Sequence, residues 1–287
     1  MWTNYHQHCN FCDGTDEPEL YIKAALEQGI GSFGFSSHAP VPFDVPWCIK
    51  PHRFDEYIAR IRQISADNAH QLPVYVGMEI DFIPDLINPA MPQFHALDYR
   101  IGSVHFLNPH PDKYLFEVDG TAEAYRKGMD ELFGGNAQRA VELYFAATRD
   151  MVAHYPPDIL GHMDKIKMNN TNDAFFSEDD TWYRKAMMET LHTIAQTKVI
   201  VEVNTRGIYK KKTRWPYPSP WVLKEMKRLK IPIMLNSDAH HPREITGQFD
   251  QTAALLQEIG FTELYVMTPS GLQPKPFDKN GVLFDNN

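Results

Sequence analysis

Residues 4–14 read NYHQHCNFCDG, and the fold turns on how this stretch is used. In one reading, His6, His8, Cys9 and Cys12 close around a structural zinc, with Cys9 and Cys12 as a C-x-x-C pair. In the other, His6 and His8 lie on one side of a strand, because strand side chains repeat every two residues. They then wait for metal ligands from elsewhere in the chain. A structural knuckle needs another suitably spaced ligand pair beyond C-x-x-C. His6 and His8 are too close together to supply it. Cys9 and Cys12 are therefore read as packing residues. A redox role fails as well, since Cys12 runs into an acidic loop rather than a helix start that would lower a thiol pKa.

Working outward, short β-like runs alternate with helix-like ones. The strand candidates are 3–8, 31–37, 73–80, 98–106, 158–162, 199–204, 231–237 and 264–267. Several are apolar throughout, as strands covered on both faces are. Helical spacing or helix punctuation fits 18–28, 54–70, 136–155, 179–197, 219–229 and 248–258. The first of these has Asp16 as expected cap, Pro18 in its first turn and Gly29 as its stop. The insert 107–135 reads as a loop plus a short helix. Strand–helix alternation repeated seven or eight times predicts a parallel sheet. No Gly-x-Gly-x-x-Gly follows the first strand, so the dinucleotide-binding fingerprint is missing.

Instead, nearly every strand candidate ends in a metal-competent side chain. His6, His8 and Asp13 follow the first, His38 the second, and Glu79 and Asp81 the third. His105 follows the fourth, and His162 and Asp164 the fifth. Glu202, Asn204 and Arg206 close the sixth, and Asp238, His240 and His241 the seventh. In a parallel barrel these ends meet on one face, where barrel active sites lie. Mixed imidazole and carboxylate ligands suit Zn, Fe or Mn rather than Ca. So many candidates exceed one tetrahedral ion. Two or three divalent metal ions are expected, with Glu79 as a bridge, and paired ions ~3.5–4 Å apart are usual for phosphate-ester hydrolysis.

Bulk properties narrow the field further. The 287 residues suit one barrel domain spanning 1–287, and the 43% hydrophobic content is ordinary for a globular protein. A net charge of −9 argues against nucleic acid as a partner. No apolar run approaches a membrane span. The N-terminus lacks the basic and apolar regions of a secretory signal. Three cysteines give no disulfide framework, so a cytoplasmic location is expected and the oligomeric state is left open.

Together, H-x-H, SSHAP, GMEID, GSVHF, LGHMDKIK and NSDAHHP resemble the polymerase and histidinol phosphatase (PHP) superfamily, and its histidinol-phosphate phosphatase branch in particular. The motifs run from residue 6 to residue 241. The resemblance implies an α/β fold: a distorted (β/α)7, TIM-like barrel with a trinuclear metal site at the C-terminal ends of the strands. Carried over residue by residue, it implies one ion held by His6, His8, Glu79 and Asp238. A second would be held by Glu79, His105 and His162, and a third by Asp13, His38 and His240. Cys9 and Cys12 have no place in that pattern.

The implied activity is hydrolysis of a small phosphorylated metabolite, L-histidinol phosphate, by in-line attack of a hydroxide bridging the ions. Glu79, Asp238 and His240 are the catalytic candidates. The proton for the leaving group comes from Asp238, His240 or a metal-bound water, and the sequence does not choose. Arg206 is the first candidate for a phosphate clamp, with Asn204, Arg214 and Lys165 behind it. Lys210, Lys211 and Lys212 read as a solvated basic loop. Asp81, Asp164 or Glu202 could face the substrate ammonium, and Phe35, Phe43, Trp47 or Phe106 its ring. Two alternatives remain at this point: a PHP-type enzyme acting on another phosphomonoester or phosphodiester, and an amidohydrolase-type C–N hydrolase.

Overall fold

The structure is a computed structural model, and it describes residues 1–110 and 112–284. Pro111, within the expected 107–135 insert, and residues 285–287 lie outside the described residues. Seven strands form one sheet. In chain order they are β1 (Trp2–Asn4), β2 (Ile30–Phe35), β3 (Val74–Asp81), β4 (Tyr99–Ser103), β7 (Ile159–Leu160), β8 (Ile200–Asn204) and β9 (Ile233–Asn236), and each pairs in parallel with the next. A parallel bridge between Gln7 and Ala239 joins the chain just beyond β1 to the chain just beyond β9, so the sheet curls back on itself as a barrel. β8 and β9 are buried at every position, because the layer inside the sheet and the helices outside both exclude water.

The outer layer consists of α1 (Pro18–Glu27), α2 (Phe54–Asn68), α4 (Ala137–His154), α5 (Thr181–Ile194), α7 (Pro220–Leu229) and α8 (Phe249–Ile259). In α4 the face carrying Ala140, Val141, Tyr144, Thr148, Met151 and Val152 is buried, as its helical spacing predicts. Asn136 caps that helix by accepting the Arg139 N–H at 3.0 Å. At α1 the expected cap is displaced by one residue. Pro18 opens the helix, so Glu17 takes the cap position, and its side chain makes no capping bond.

Tyr99 fills the inside of the barrel. Its hydroxyl lies 2.5 Å from the Tyr5 carbonyl and 3.0 Å from that of Phe35. This crossing needs Gly77, where an added Cβ would lie 2.2 Å from the Tyr99 ring.

Two regions depart from the sequence reading. The insert is more ordered than a loop with a short helix: β5 (Phe106–Leu107) and β6 (Phe116–Glu117) pair antiparallel, followed by the twelve-residue α3 (Ala122–Phe133). The strand candidate at 264–267 does form, as part of β10 (Glu263–Thr268), but it does not enter the barrel. It pairs antiparallel with β11 (Gly271–Asp278), which pairs in turn with β12 (Gly281–Val282), giving a separate three-stranded sheet. That sheet sits under β1: the Val282 N–H donates to the Met1 carbonyl at 2.8 Å, and the Met267 N–H to the Tyr5 hydroxyl at 3.0 Å.

Candidate metal centre

Local geometry gathers the site from every strand end. Beyond β1 the backbone stays extended to the Gln7 bridge, which turns His6 and His8 to the same side. The chain then doubles back so tightly that a Cβ on Gly14 would lie 2.1 Å from the His8 carbonyl oxygen. Only glycine fits there, and the turn delivers Asp13 to the rim. Beyond β2, His38 bridges in parallel to Glu79 on β3. Beyond β9, Asp238 is held at φ +54°, a left-handed conformation uncommon for a residue with a side chain and concentrated at functional sites.

Glu79 is buried at the centre. Its Oε2 lies 3.2 Å from His6 Nε2, 3.5 Å from His8 Nε2 and 3.0 Å from His38 Nδ1. Its Oε1 lies 3.5 Å from His105 Nε2, 2.9 Å from His162 Nε2 and 2.6 Å from Ser103 Oγ. Asp238 Oδ1 stands 3.3 Å from His8 Nε2 and 3.8 Å from His6 Nε2. His240 Nε2 lies 3.1 Å from Asp13 Oδ2. All nine metal candidates of the sequence therefore meet at one mouth. Their proximity groups overlap: His8 with Asp13, His38 and His240; His6 with His8 and Asp238; His6 with Glu79 and His162; His38 with Glu79 and His105. The three ligand sets implied by resemblance, which share Glu79 alone, overlap further when grouped by distance. His38 stands with Glu79 and His105 as well as with Asp13, and His162 stands with His6.

These residues fit divalent ions. His6 Nε2, His8 Nε2, His38 Nδ1, His105 Nε2 and Glu79 Oε2 are buried without a hydrogen-bond partner. Buried polar atoms normally have one, and leaving one unpaired costs roughly 1–3 kcal/mol. Two ligands each ~2.0–2.2 Å from a shared ion stand roughly 3–3.6 Å apart. The 2.9–3.5 Å separations around Glu79 fall in or next to that range. Outer partners orient the rings, as metal-binding imidazoles require. His6 Nδ1 bonds Glu202 at 2.6 Å, His105 Nδ1 bonds Asp81 at 3.0 Å, and His240 Nδ1 lies 3.1 Å from the Asp238 carbonyl.

The electrostatics agree. Burial, reinforced by neighbouring imidazoles, pushes His8 and His38 down to about 4, so both are neutral with free lone pairs near pH 7. Burial would raise Glu79, yet His6, His38 and His105 outweigh it and hold the carboxyl well below the usual range. Burial would lower His105, but Asp81, Asp119 and Glu79 carry it up to about 10, so this ring keeps its proton until an ion displaces it.

A cavity of ≈ 460 Å³ opens over this cluster. Its lining includes four cations, Lys165, Arg206, Lys210 and Lys212. Arg206 Nη1 donates to the Asp238 carbonyl at 2.7 Å, and Lys165 Nζ lies 3.4 Å from Asp238 Oδ2. The same lining carries Glu117, Asp119 and Trp47, whose indole N–H donates to Glu117 at 3.0 Å, and Asp119 Oδ2 stands 3.5 Å from Lys165 Nζ.

Several sequence expectations change here. Arg214 lies outside this cavity, over the Trp215 ring in a neighbouring groove. Asn204 is fully buried and donates to Glu202 and Asp238, beneath the cavity rather than in its wall. Asp81, Asp164 and Glu202 are likewise buried behind it, Asp164 paired with Lys167 at 2.5 Å, so none lines the space a substrate ammonium would occupy. Of the four aromatics only Trp47 lines the cavity; Phe106 stacks on it, Phe43 packs on Phe106, and Phe35 is core. Lys210 and Lys212 are exposed, as expected of a solvated loop, and also line the cavity, Lys210 paired with Glu244. Glu117 and Asp119 were not foreseen. Their one signal is the period-two pattern Glu-Val-Asp in residues 117–119, the same spacing as H-x-H. Cys12 is nearer the site than a packing residue need be, with Sγ 3.5 Å from His8 Nδ1, while Cys9 Sγ lies against Ser37. Among the described residues, none of the metal-competent groups includes a cysteine.

Comparison with known proteins agrees with this geometry. The family pattern described as PHP domain matches residues 4–206. A Deinococcus radiodurans protein named probable histidinol-phosphatase is 28% identical over 262 residues, covering 89% of this chain and 92% of its own. The histidinol-phosphatase of Bacillus subtilis is 26% identical over 258 residues, covering 84% and 94%. The crystal structure of histidinol phosphate phosphatase from Lactococcus lactis, complexed with Zn, L-histidinol and phosphate, shares the fold with a TM-score of 0.67 at 21% identity, over 99% of each chain. With its motifs at the strand ends and most of the barrel inside the match, the chain belongs to the PHP domain family.

Proposed function

We propose that the chain is a metal-dependent phosphomonoesterase of the cytoplasm whose substrate is L-histidinol phosphate. One observation carries the reading: a cluster of buried, unpaired ligand atoms lies under a cavity lined by cationic side chains together with acidic and aromatic ones. L-Histidinol phosphate complements both, with a dianionic phosphate at one end and an ammonium and imidazole at the other. The curated relatives named as histidinol-phosphatases support the substrate.

His6, His8, Asp13, His38, Glu79, His105, His162, Asp238 and His240 would hold two or three ions of Zn, Fe or Mn. Such ions offset phosphate charge and acidify bound water toward pH ~7. Arg206 and Lys165 face the phosphate and compensate the charge that spreads over its non-bridging oxygens. Arg206 is held in place by the Asp238 carbonyl, so little order has to be created on binding. Asp238 is kept anionic by Lys165, His6 and Arg206 against the effect of burial, which suits it to hold a dication rather than to take up a proton. The leaving alkoxide would take its proton from a water held in the site. Glu117 and Asp119 face the ammonium, and Trp47 the ring.

The test is a panel of phosphomonoesters assayed with protein purified in the presence of Zn or Mn. A kcat/KM for L-histidinol phosphate at least about 100-fold above that for p-nitrophenyl phosphate is expected, equivalent to roughly 2.7 kcal/mol of discrimination. Equal values remove the substrate assignment and leave the phosphatase class. No hydrolysis of any ester removes both.

A further inference from the structure

Glu202 is buried completely on β8, below the cluster rather than in the cavity. Its Oε1 accepts from His6 Nδ1 at 2.6 Å and from Asn236 Nδ2 at 3.1 Å. Its Oε2 accepts from the His162 backbone N–H at 2.9 Å and from Asn204 Nδ2 at 2.9 Å. The same Asn204 nitrogen lies 3.3 Å from Asp238 Oδ2. An ionised carboxylate has about four accepting positions, and here all are occupied. Through them one side chain reaches His6 beyond β1, His162 beyond β7 and, by way of Asn204, Asp238 beyond β9. Asp81 makes a simpler contact, serving His105 alone through its Nδ1 at 3.0 Å and its backbone N–H at 3.1 Å.

We propose that Glu202 is a positioning residue that aligns His6, His162 and Asp238 together for divalent-ion binding. The inference rests on the metal-holding reading of the cluster given above. A carboxylate can only accept, so the proton on Nδ1 of His6 points at Glu202. The lone pair then lies on Nε2, which faces Glu79 Oε2 at 3.2 Å and Asp238 Oδ1 at 3.8 Å. The His162 N–H anchors the two-residue β7 just where its strand pairing ends. Asn236 cannot turn its amide over to rescue a lost acceptor, because its Oδ1 already accepts the Tyr5 N–H at 2.9 Å.

Glu202→Gln keeps the shape and breaks the logic. Whichever way the new amide turns, its NH2 meets donors: His6 and Asn236 on one side, or His162 and Asn204 on the other. The experiment strips both proteins of metal, titrates them with Zn against a chromophoric chelator, and measures melting temperature with and without Zn. The expected result is a Zn affinity lower by about 10- to 100-fold, the usual cost of losing an outer partner, and a smaller Zn-induced rise in melting temperature. A variant that merely melts lower in both states, with wild-type Zn affinity, overturns the proposal. Should Glu202→Gln fail to fold without metal, Asn204→Ala cuts the link between Glu202 and Asp238, together with the bond its Oδ1 accepts from the Arg206 N–H at 2.9 Å. A Zn affinity at least about threefold weaker supports the proposal, and an unchanged one overturns it. A wild-type chain that takes up no Zn, Mn or Fe brings down the metal reading itself, an outcome distinct from any of these.

Discussion

The two ends of the barrel solve opposite problems. At the bottom, every polar group that meets the C-terminal sheet in the contacts above is paired: Met267 N–H with the Tyr5 hydroxyl, Val282 N–H with the Met1 carbonyl, and the Ser32 hydroxyl with the Met267 carbonyl at 3.4 Å. Leu264, Val266 and Phe277 seal the rest. At the mouth, imidazole and carboxylate atoms are equally buried, yet His6, His8, His38, His105 and Glu79 keep unpaired atoms aimed at one another. The bottom is built for stability, whereas the mouth gives up hydrogen bonds to keep ligand atoms free. This asymmetry matches the general division of labour between the two faces of such barrels.

The sharpest way to break the comparison is Glu79→Gln. It removes the one negative charge that five imidazoles share. We expect kcat/KM to fall by roughly 10³-fold or more, as when a central electrostatic group is lost, with bound metal reduced by elemental analysis. The metal-free melting temperature should fall as well, because the imidazoles that hold the Glu79 carboxyl ionised are themselves stabilised by its charge, so bound metal is the readout specific to the mouth. Retained metal and turnover would mean that the mouth does not work through Glu79. The matching change at the bottom is Leu264→Ala, on a side chain 2% exposed. A cavity there should cost ~2–5 kcal/mol in denaturant unfolding, with metal content unchanged and kcat/KM at 25 °C within about twofold. A loss of metal on this substitution would show that the two ends are coupled, and would void the comparison.

The sequence read the two ends with different success, for a physical reason. Parallel barrel strands are apolar along their length and change character abruptly at their ends, so His38, Glu79, His105, His162 and Asp238 stand out where a run stops. The same signal cannot say whether a carboxylate next to a ligand faces the cavity or the back of an imidazole. Glu202 and Asp81 turned out to be behind, and Glu117 and Asp119, carried in by the β5–β6 hairpin, in front. Where an insert folds back is set by tertiary packing, not by its own periodicity. The bottom was misread for a related reason. The apolar run at 264–267 looks like another barrel strand, but its true partner, β11, contains Pro274 and Pro276, which read as a loop. Most of β11 pairs with β10 alone, so one of its edges is open and its prolines leave no ladder donor missing there.

The finest distinction lies at and beside the mouth, between two arginines that the sequence ranked first and behind as phosphate clamps. Arg206 is half-buried, fixed by the Asp238 carbonyl, and lines the cavity. Arg214 is exposed and spread over Trp215, with its guanidinium carbon 4.9 Å from the ring centre. A charge-assisted bond to a substrate phosphate contributes ~1.5–3 kcal/mol, so Arg206→Ala should raise KM for a phosphorylated substrate by about 10- to 100-fold while metal content holds. An exposed cation–π contact contributes only ~0.5–1 kcal/mol, and it would act on the loop rather than on the substrate. Arg214→Ala should therefore leave KM within about twofold. Steady-state kinetics on the pair separates the two sites: a KM raised equally by both would mean that the neighbouring groove, and not the cavity over Glu79, receives the phosphate.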